Sequence, residues 1–247
     1  MRFNYLIFTL GLLGLISCKK AEDRSCFKRI GEQTEIRVDL PDFYKLYLKS
    51  KLKYTLIQDD SNYMLVKGGK NLVNFVKWRK SEVDYLEINN SNKCAFLRKQ
   101  SDVIEAEIHF KNIIDLRYEG SEELNTPDTL NFDYLRFVVL DASGTLNMTL
   151  KADSLTGDVS HGWGNYNFKG LVKKAYLGLR SNGYADVSDL KVTEVLEIKN
   201  ESVGDIHINA DQVPLQGMIS GSGNIYYTGI PSSINIECFS SGKLIKL

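Results

Sequence analysis

Gly183-Tyr184-Ala185, Gly204-Asp205-Ile206 and Gly223-Asn224-Ile225 are three copies of one step: a glycine, a polar or aromatic residue, then an apolar one. The step recurs upstream as Gly144-Thr145-Leu146 and Gly164-Asn165-Tyr166, and downstream as Gly242-Lys243-Leu244. Successive glycines stand 20, 19, 21, 19 and 19 residues apart. A fixed period near twenty is the mark of a solenoid, in which each coil buries its inward face only by stacking on the next. Between the glycines, apolar residues fall two apart, as in Leu146-Met148-Leu150, Leu177-Leu179, Leu196-Ile198, Ile206-Ile208, Val213-Leu215 and Ile225-Tyr227. In a strand such residues share one face. Glycine at a coil corner supplies either a positive φ or room for a close backbone approach. The pattern predicts an all-β protein, a right-handed parallel β-helix with coils of about 20 residues.

Working outward, the regular coils occupy residues 113–247 and a less regular half occupies 26–112. In that half, Ile36-Val38-Leu40, Phe43 to Leu48, Leu52 to Ile57, Tyr63 to Val66 and Tyr85 to Ile88 read as short strands. Turn-forming clusters separate them: Asp59-Asp60-Ser61-Asn62, Gly68-Gly69 and Asn89-Asn90-Ser91-Asn92. Leu72, Val73, Phe75 and Val76 break the period of two and fit a single helical turn or a buried bend. Val103 to Phe110 alternates strictly. A β-sandwich competes with the β-helix for these first hundred residues.

The chain opens with Arg2 and an uncharged run from Tyr5 to Ile16, too short to cross a bilayer and of the length of a signal-peptide core. Leu15-Ile16-Ser17-Cys18 follows and resembles the bacterial lipobox. The expectation is a leader over residues 1–17, lipid attachment at Cys18 and a polar tether over 18–25. Several acyl chains on one residue anchor a protein to a membrane surface without crossing it. In the lipoproteins this leader resembles, a residue other than the retention aspartate behind the cysteine, here Lys19, implies the outer membrane, and the charged Lys19, Lys20, Glu22 and Asp23 resemble the tethers of surface-directed lipoproteins.

The 31 basic and 31 acidic residues balance. Without a basic excess to neutralise phosphates, nucleic acid is not an expected partner. Lys77-Trp78-Arg79-Lys80 alternates like a strand and reads as one exposed face. With Cys18 assigned, an exported protein permits a disulfide, and Cys26 to Cys94 is the favoured pair. Closing so long a loop is worth roughly 4 kcal/mol in the chain-entropy model. Cys238 is then expected inward, as a small core residue of the strand Ile234 to Cys238. Metal binding is the alternative for the cysteines, but they lack the paired spacing of a zinc site.

No cofactor is expected. Gly221-Ser222-Gly223 imitates a phosphate loop, but Asn224 to Tyr227 continues as a strand, where a phosphate cradle must open a helix. Asp205 and Asn224 follow their glycines as turn formers, without the acidic ladder of calcium-binding repeats. His109 and His207 fall at outward strand positions and read as solvated; His161 lies in a flexible corner. Asp158, Asp186, Asp205 and Arg180 would have to gather in one cleft to serve a carbohydrate-active enzyme. The aromatic set is more informative. Trp163, Tyr184 and Tyr226 fall near equivalent places on their coils and are candidate ligand contacts, able to stack on sugar faces, whereas Tyr166 and Tyr227 suit the core.

Several segments together resemble a known family. They are Cys26, Leu40-Pro41-Asp42-Phe43, Leu56-Ile57-Gln58-Asp59, Asn71-Leu72-Val73, Asn92-Lys93-Cys94 and Gly221-Ser222-Gly223-Asn224-Ile225-Tyr226-Tyr227. Their order and spacing are similar to the head GIN domain family, exported proteins named as putative auto-transporter adhesins, many of which carry a lipobox. The resemblance spans residues 26–247. It implies a β-helix-like fold and an envelope setting, and brings no catalytic residues. The reading is a lipid-anchored envelope protein without catalytic activity, contacting a glycan or an extracellular protein. A carbohydrate-active β-helix and a periplasm-facing assembly lipoprotein are the alternatives.

Overall fold

A computed structural model describes residues 29–92, 99 and 102–247. Cys18, Cys26 and Cys94, and with them the expected anchor and disulfide, lie outside the described residues. The strands of the first half are β1 (Gln33–Asp39), β2 (Lys45–Ser50), β3 (Leu52–Gln58), β4 (Tyr63–Gly69), β5 (Val76–Lys80), β6 (Leu86–Asn90) and β7 (Ile104–Phe110). Then come β8 (Asp115–Gly120), β9 (Leu124–Asn125), β10 (Leu130–Val139), β11 (Thr145–Val159), β12 (Asn165–Ser181) and β13 (Ala185–Val187). The last are β14 (Leu190–Ser202), β15 (Ile206–Asn209), β16 (Pro214–Ile219), β17 (Ile225–Thr228), β18 (Ser233–Cys238) and β19 (Leu244–Lys246). The break in period at Val73–Phe75 is one turn of 3-10 helix.

These strands wind into a β-solenoid of about seven turns. Sheet I stacks β6, β2, β8, β10, β11, β12, β14, β16 and β18 in parallel. Sheet II stacks β7, β3, β9, β11, β12, β13, β15, β17 and β19, also in parallel. The long β11 and β12 serve both sheets because they bend. In β11 the buried residues run Leu146, Met148, Leu150 and Ala152, then resume out of step at Leu155. That slip of parity at Asp153–Ser154 is the corner.

The coil order departs from the chain order at one end. The coil of β2 and β3 lies between the later coils β6–β7 and β8–β9. Antiparallel strands then close this end, β5 along β6, β4 along β7 and β1 along β4. They pair the sheet edges that would otherwise invite another chain.

The core is the inward face of every coil. Tyr54, Tyr118, Tyr166, Phe110, Phe137 and Phe168 are all fully buried. Phe137 meets Tyr166 and Phe168 edge-on at 5.1 and 4.8 Å between ring centres. Each such phenylalanine contributes about 1.5–3 kcal/mol relative to exposure. The phenol of Tyr166 donates to the Gly178 carbonyl at 3.2 Å, and burial pushes its pKa well above the usual tyrosine value.

Of the two roles open to the corner glycines, close approach is the one used. A Cβ on Gly204 would lie 1.8 Å from the Gly183 carbonyl oxygen, and one on Gly183 would lie 2.2 Å from that of Gly164. Neither has a positive φ. Glycine stacks on glycine, and the period follows. Beside that column, fully buried Asn200 donates to the carbonyls of Gly204 and Asn224 at 3.0 and 3.2 Å and accepts from the Ser202 amide at 3.0 Å.

Cys238 corrects an expectation. It is exposed rather than inward. Among the described residues β18 pairs with β16 alone and no coil covers its other side, and Ile234 of the same strand is also exposed.

Candidate functional site

In a parallel stack in register, outward residues of successive coils form columns about 4.8 Å apart. One column of mixed chemistry on sheet II passes through Asn125, Asn147, Asn167, Asp186, His207 and Tyr226. Its first part is an amide ladder. The Asn147 side-chain amide donates to Asn125 Oδ1 at 2.9 Å, and that of Asn167 donates to Asn147 Oδ1 at 3.0 Å. Asp186 ends the ladder, its Oδ1 accepting from the Ser188 amide at 3.0 Å and hydroxyl at 2.6 Å. All four side chains are half-exposed.

The second part is aromatic. The His207 ring stacks on Tyr226 at 4.8 Å and 22°, and meets Tyr184 at 5.6 Å and 48°. Tyr184 is 38 % exposed. Partial burial, then the carboxylates of Asp186 and Asp205, raise its phenol pKa above the usual value. Alongside the amide ladder lies a groove of about 420 Å³, walled also by Thr126, Thr149, Lys169 and Asp189. Lys169 and Asp189 pair across it at 3.4 Å.

Of the three predicted contacts, the structure brings together two. Tyr184 and Tyr226 share the His207 stack, whereas Trp163, 67 % exposed, sits on the corner before Gly164 rather than in the strand row. Tyr166 is buried, and Tyr227 is half-buried against the core. His207 lies outward and half-exposed, as its strand position predicts, and two phenol rings flank it. The column's offsets, 22, 20, 19, 21 and 19 residues from Asn125 to Tyr226, stay close to the glycine period, but the strand register is what aligns these residues.

His109, in contrast, corrects an expectation. It is buried, with Nδ1 2.9 Å from Asp59 Oδ2 and Nε2 2.9 Å from Glu107 Oε1, and its ring lies 4.0 Å from that of Tyr63. The cluster pins the antiparallel cap, since Tyr63 is on β4 and Glu107 and His109 are on β7. His161 is exposed, 3.1 Å from Ser160 Oγ.

The charged residues weighed for hydrolysis divide between the sheets. On sheet I Arg180 pairs with Asp158 at 3.0 Å and Glu201 at 3.8 Å. Asp186 belongs to sheet II, and Asp205 accepts the Asn224 amide at 2.7 Å at a coil corner. Asn224 in turn accepts the Lys243 amide at 3.0 Å, so the residues after the glycines lock one coil to the next. Among the described residues no three His, Cys, Asp or Glu side chains are placed to hold a metal ion. Among them too, no helix is long and apolar enough to cross a membrane.

The solenoid has relatives of known structure. A putative adhesin from Bacteroides fragilis NCTC 9343 superposes with a TM-score of 0.77 at 17 % identity, covering 87 % of this chain and 97 % of that one. A putative lipid binding protein from Parabacteroides distasonis ATCC 8503 gives 0.61 at 19 % identity, covering 88 % and 97 %. A putative adhesin from the same strain gives 0.60 at 18 %, covering 88 % and 98 %. At such identities these likenesses establish the fold alone. Among curated proteins none matches the sequence. The family model described as putative auto-transporter adhesin, head GIN domain, matches residues 42–231, most of the solenoid, and the chain therefore belongs to the head GIN domain family of adhesin-like proteins.

Proposed function

We propose that this is a lipid-anchored outer-membrane protein whose β-solenoid serves adhesion or surface interaction without catalysing a reaction. The observation that carries the reading is the column on sheet II, which aligns one half-exposed side chain per coil over six coils. A rigid solenoid with a repeating outer row suits an extended partner. The lipobox-like Leu15-Ile16-Ser17-Cys18 supports attachment at Cys18, with residues 19–25 as the tether.

Protease shaving of intact cells tests the reading, with a Cys18→Ala strain as control. Release of solenoid peptides from whole cells, lost when Cys18 is replaced, is the expected result. Protection until the envelope is broken would sink the surface reading and favour a periplasm-facing assembly role.

A further inference from the structure

We infer that the strip from Asn125 to Tyr226 binds a neutral, extended glycan lying parallel to the solenoid axis; this rests on the surface-interaction reading and names its ligand. The strip is a built surface with two chemistries in series. At one coil spacing per residue it is about 24 Å long, a run of several sugar rings.

The amide half matches hydroxyl groups. A side-chain amide has two N–H donors and two acceptor lone pairs. The ladder engages one of each on Asn147, through Asn125 and Asn167. A sugar hydroxyl, itself both donor and acceptor, complements what such an amide offers. The same ladder bonds hold the side chains in one orientation, so little rotamer freedom is lost on binding. The aromatic half matches the apolar faces of sugar rings: Tyr184 and Tyr226 flank His207 and combine flat area with polar tips.

Charge selects against polyanions. Three positions of the column are uncharged asparagines, and Lys169 in the groove is already paired with Asp189. A uronate or sulfated chain would meet the carboxylate of Asp186 with no second cation beside Lys169 among the described residues of the groove. Position selects against a peptide added as a further strand, because that mode needs unpaired backbone at a sheet edge. Here β11, β12, β13 and β15 each have neighbours on both sides.

The test is calorimetric titration of the full-chain protein in detergent. The probes are neutral hexasaccharides of β-glucan, mannan and xylan, with a hexauronate, a sulfated glycan and an unrelated extended peptide as comparators. Binding of a neutral hexasaccharide is expected, with Tyr226→Ala and Asn147→Ala each weakening it about tenfold. Tyr134→Ala, an exposed aromatic on another row, should leave it unchanged. Thermal melts verify folding; should Asn147→Ala unfold, Tyr226→Ala and His207→Ala decide. The inference is overturned if none of the neutral probes binds, if only the charged glycans or the peptide bind, or if Tyr226→Ala retains full affinity. Shaving separates the two failures. Peptides released from whole cells with no glycan binding would reject the ligand class alone, whereas protected peptides would reject the surface reading whatever the titration shows.

Discussion

Replacing Gly204 by alanine adds one methyl group at the point where two coils touch backbone to backbone. The new Cβ would lie 1.8 Å from the Gly183 carbonyl oxygen and 2.9 Å from its carbon. Bringing the first contact to even a tight separation requires the coils to part by roughly 1 Å, in an interior packed as densely as an organic crystal. The obstacle is main chain on both sides, so no side-chain rotation relieves it. Buried Asn200 and Ser202 bond to the same corner, through the Gly204 carbonyl at 3.0 Å and amide at 2.9 Å, and would be strained with it. Overpacking that shifts backbone typically costs 1–3 kcal/mol, and the upper end, about 3 kcal/mol, applies here. For a chain of this size that lowers the melting temperature by about 6–12 °C. Gly178→Ala is the matched control: it faces outward on sheet I, its new Cβ would lie 3.0 Å from the Asp158 Cβ with the nearest backbone atom at an ordinary 3.8 Å, and its φ is not positive. Thermal melts followed by circular dichroism read both variants. A Gly204→Ala melt within about 2 °C of the wild type would refute the claim that glycine stacking sets the coil spacing.

Other outcomes follow from the same structure. Asn200→Leu removes the buried partner of the Gly204 carbonyl and the Ser202 amide, while the Asn224 carbonyl keeps the Ile206 amide at 2.9 Å, and denaturant unfolding should show a loss of about 3 kcal/mol. Acid should loosen the antiparallel cap. Glu107's carboxyl is held below the usual range by its hydrogen bond to Lys67 first and to His109 second. A depressed folded pKa contributes stability above the unfolded value, about 4.3, that is lost as pH falls through the folded one; Glu107→Gln should flatten that acid limb in pH-dependent melts. A maleimide should label exposed Cys238 on the native protein without prior reduction. Reduction under denaturing conditions should then release two more thiols, at Cys26 and Cys94; two additional labels before reduction would reject their pairing.

Much of the coil was legible in the chain itself. The glycine period and the alternation of residues such as Leu146, Met148 and Leu150 depend on sterics within one coil, so they specify coil length and the inward face. The single turn at Val73–Phe75 was visible for the same reason, as a local break in period. What alternation does not encode is which coil lies beside which. The placement of β2–β3 between β6–β7 and β8–β9, and the antiparallel lid of β1, β4 and β5, are set by pairings between distant segments. Those pairings decided the candidate site as well. Outward residues look alike along a strand, and only the register between coils joins three asparagines to Asp186 and carries the column on to His207 and Tyr226. They also enclosed His109 between two carboxylates and left Cys238 uncovered. The sequence by itself determined a coil and its core; the stacking of coils, being non-local, determined its ends, its buried polar clusters and the surface it presents.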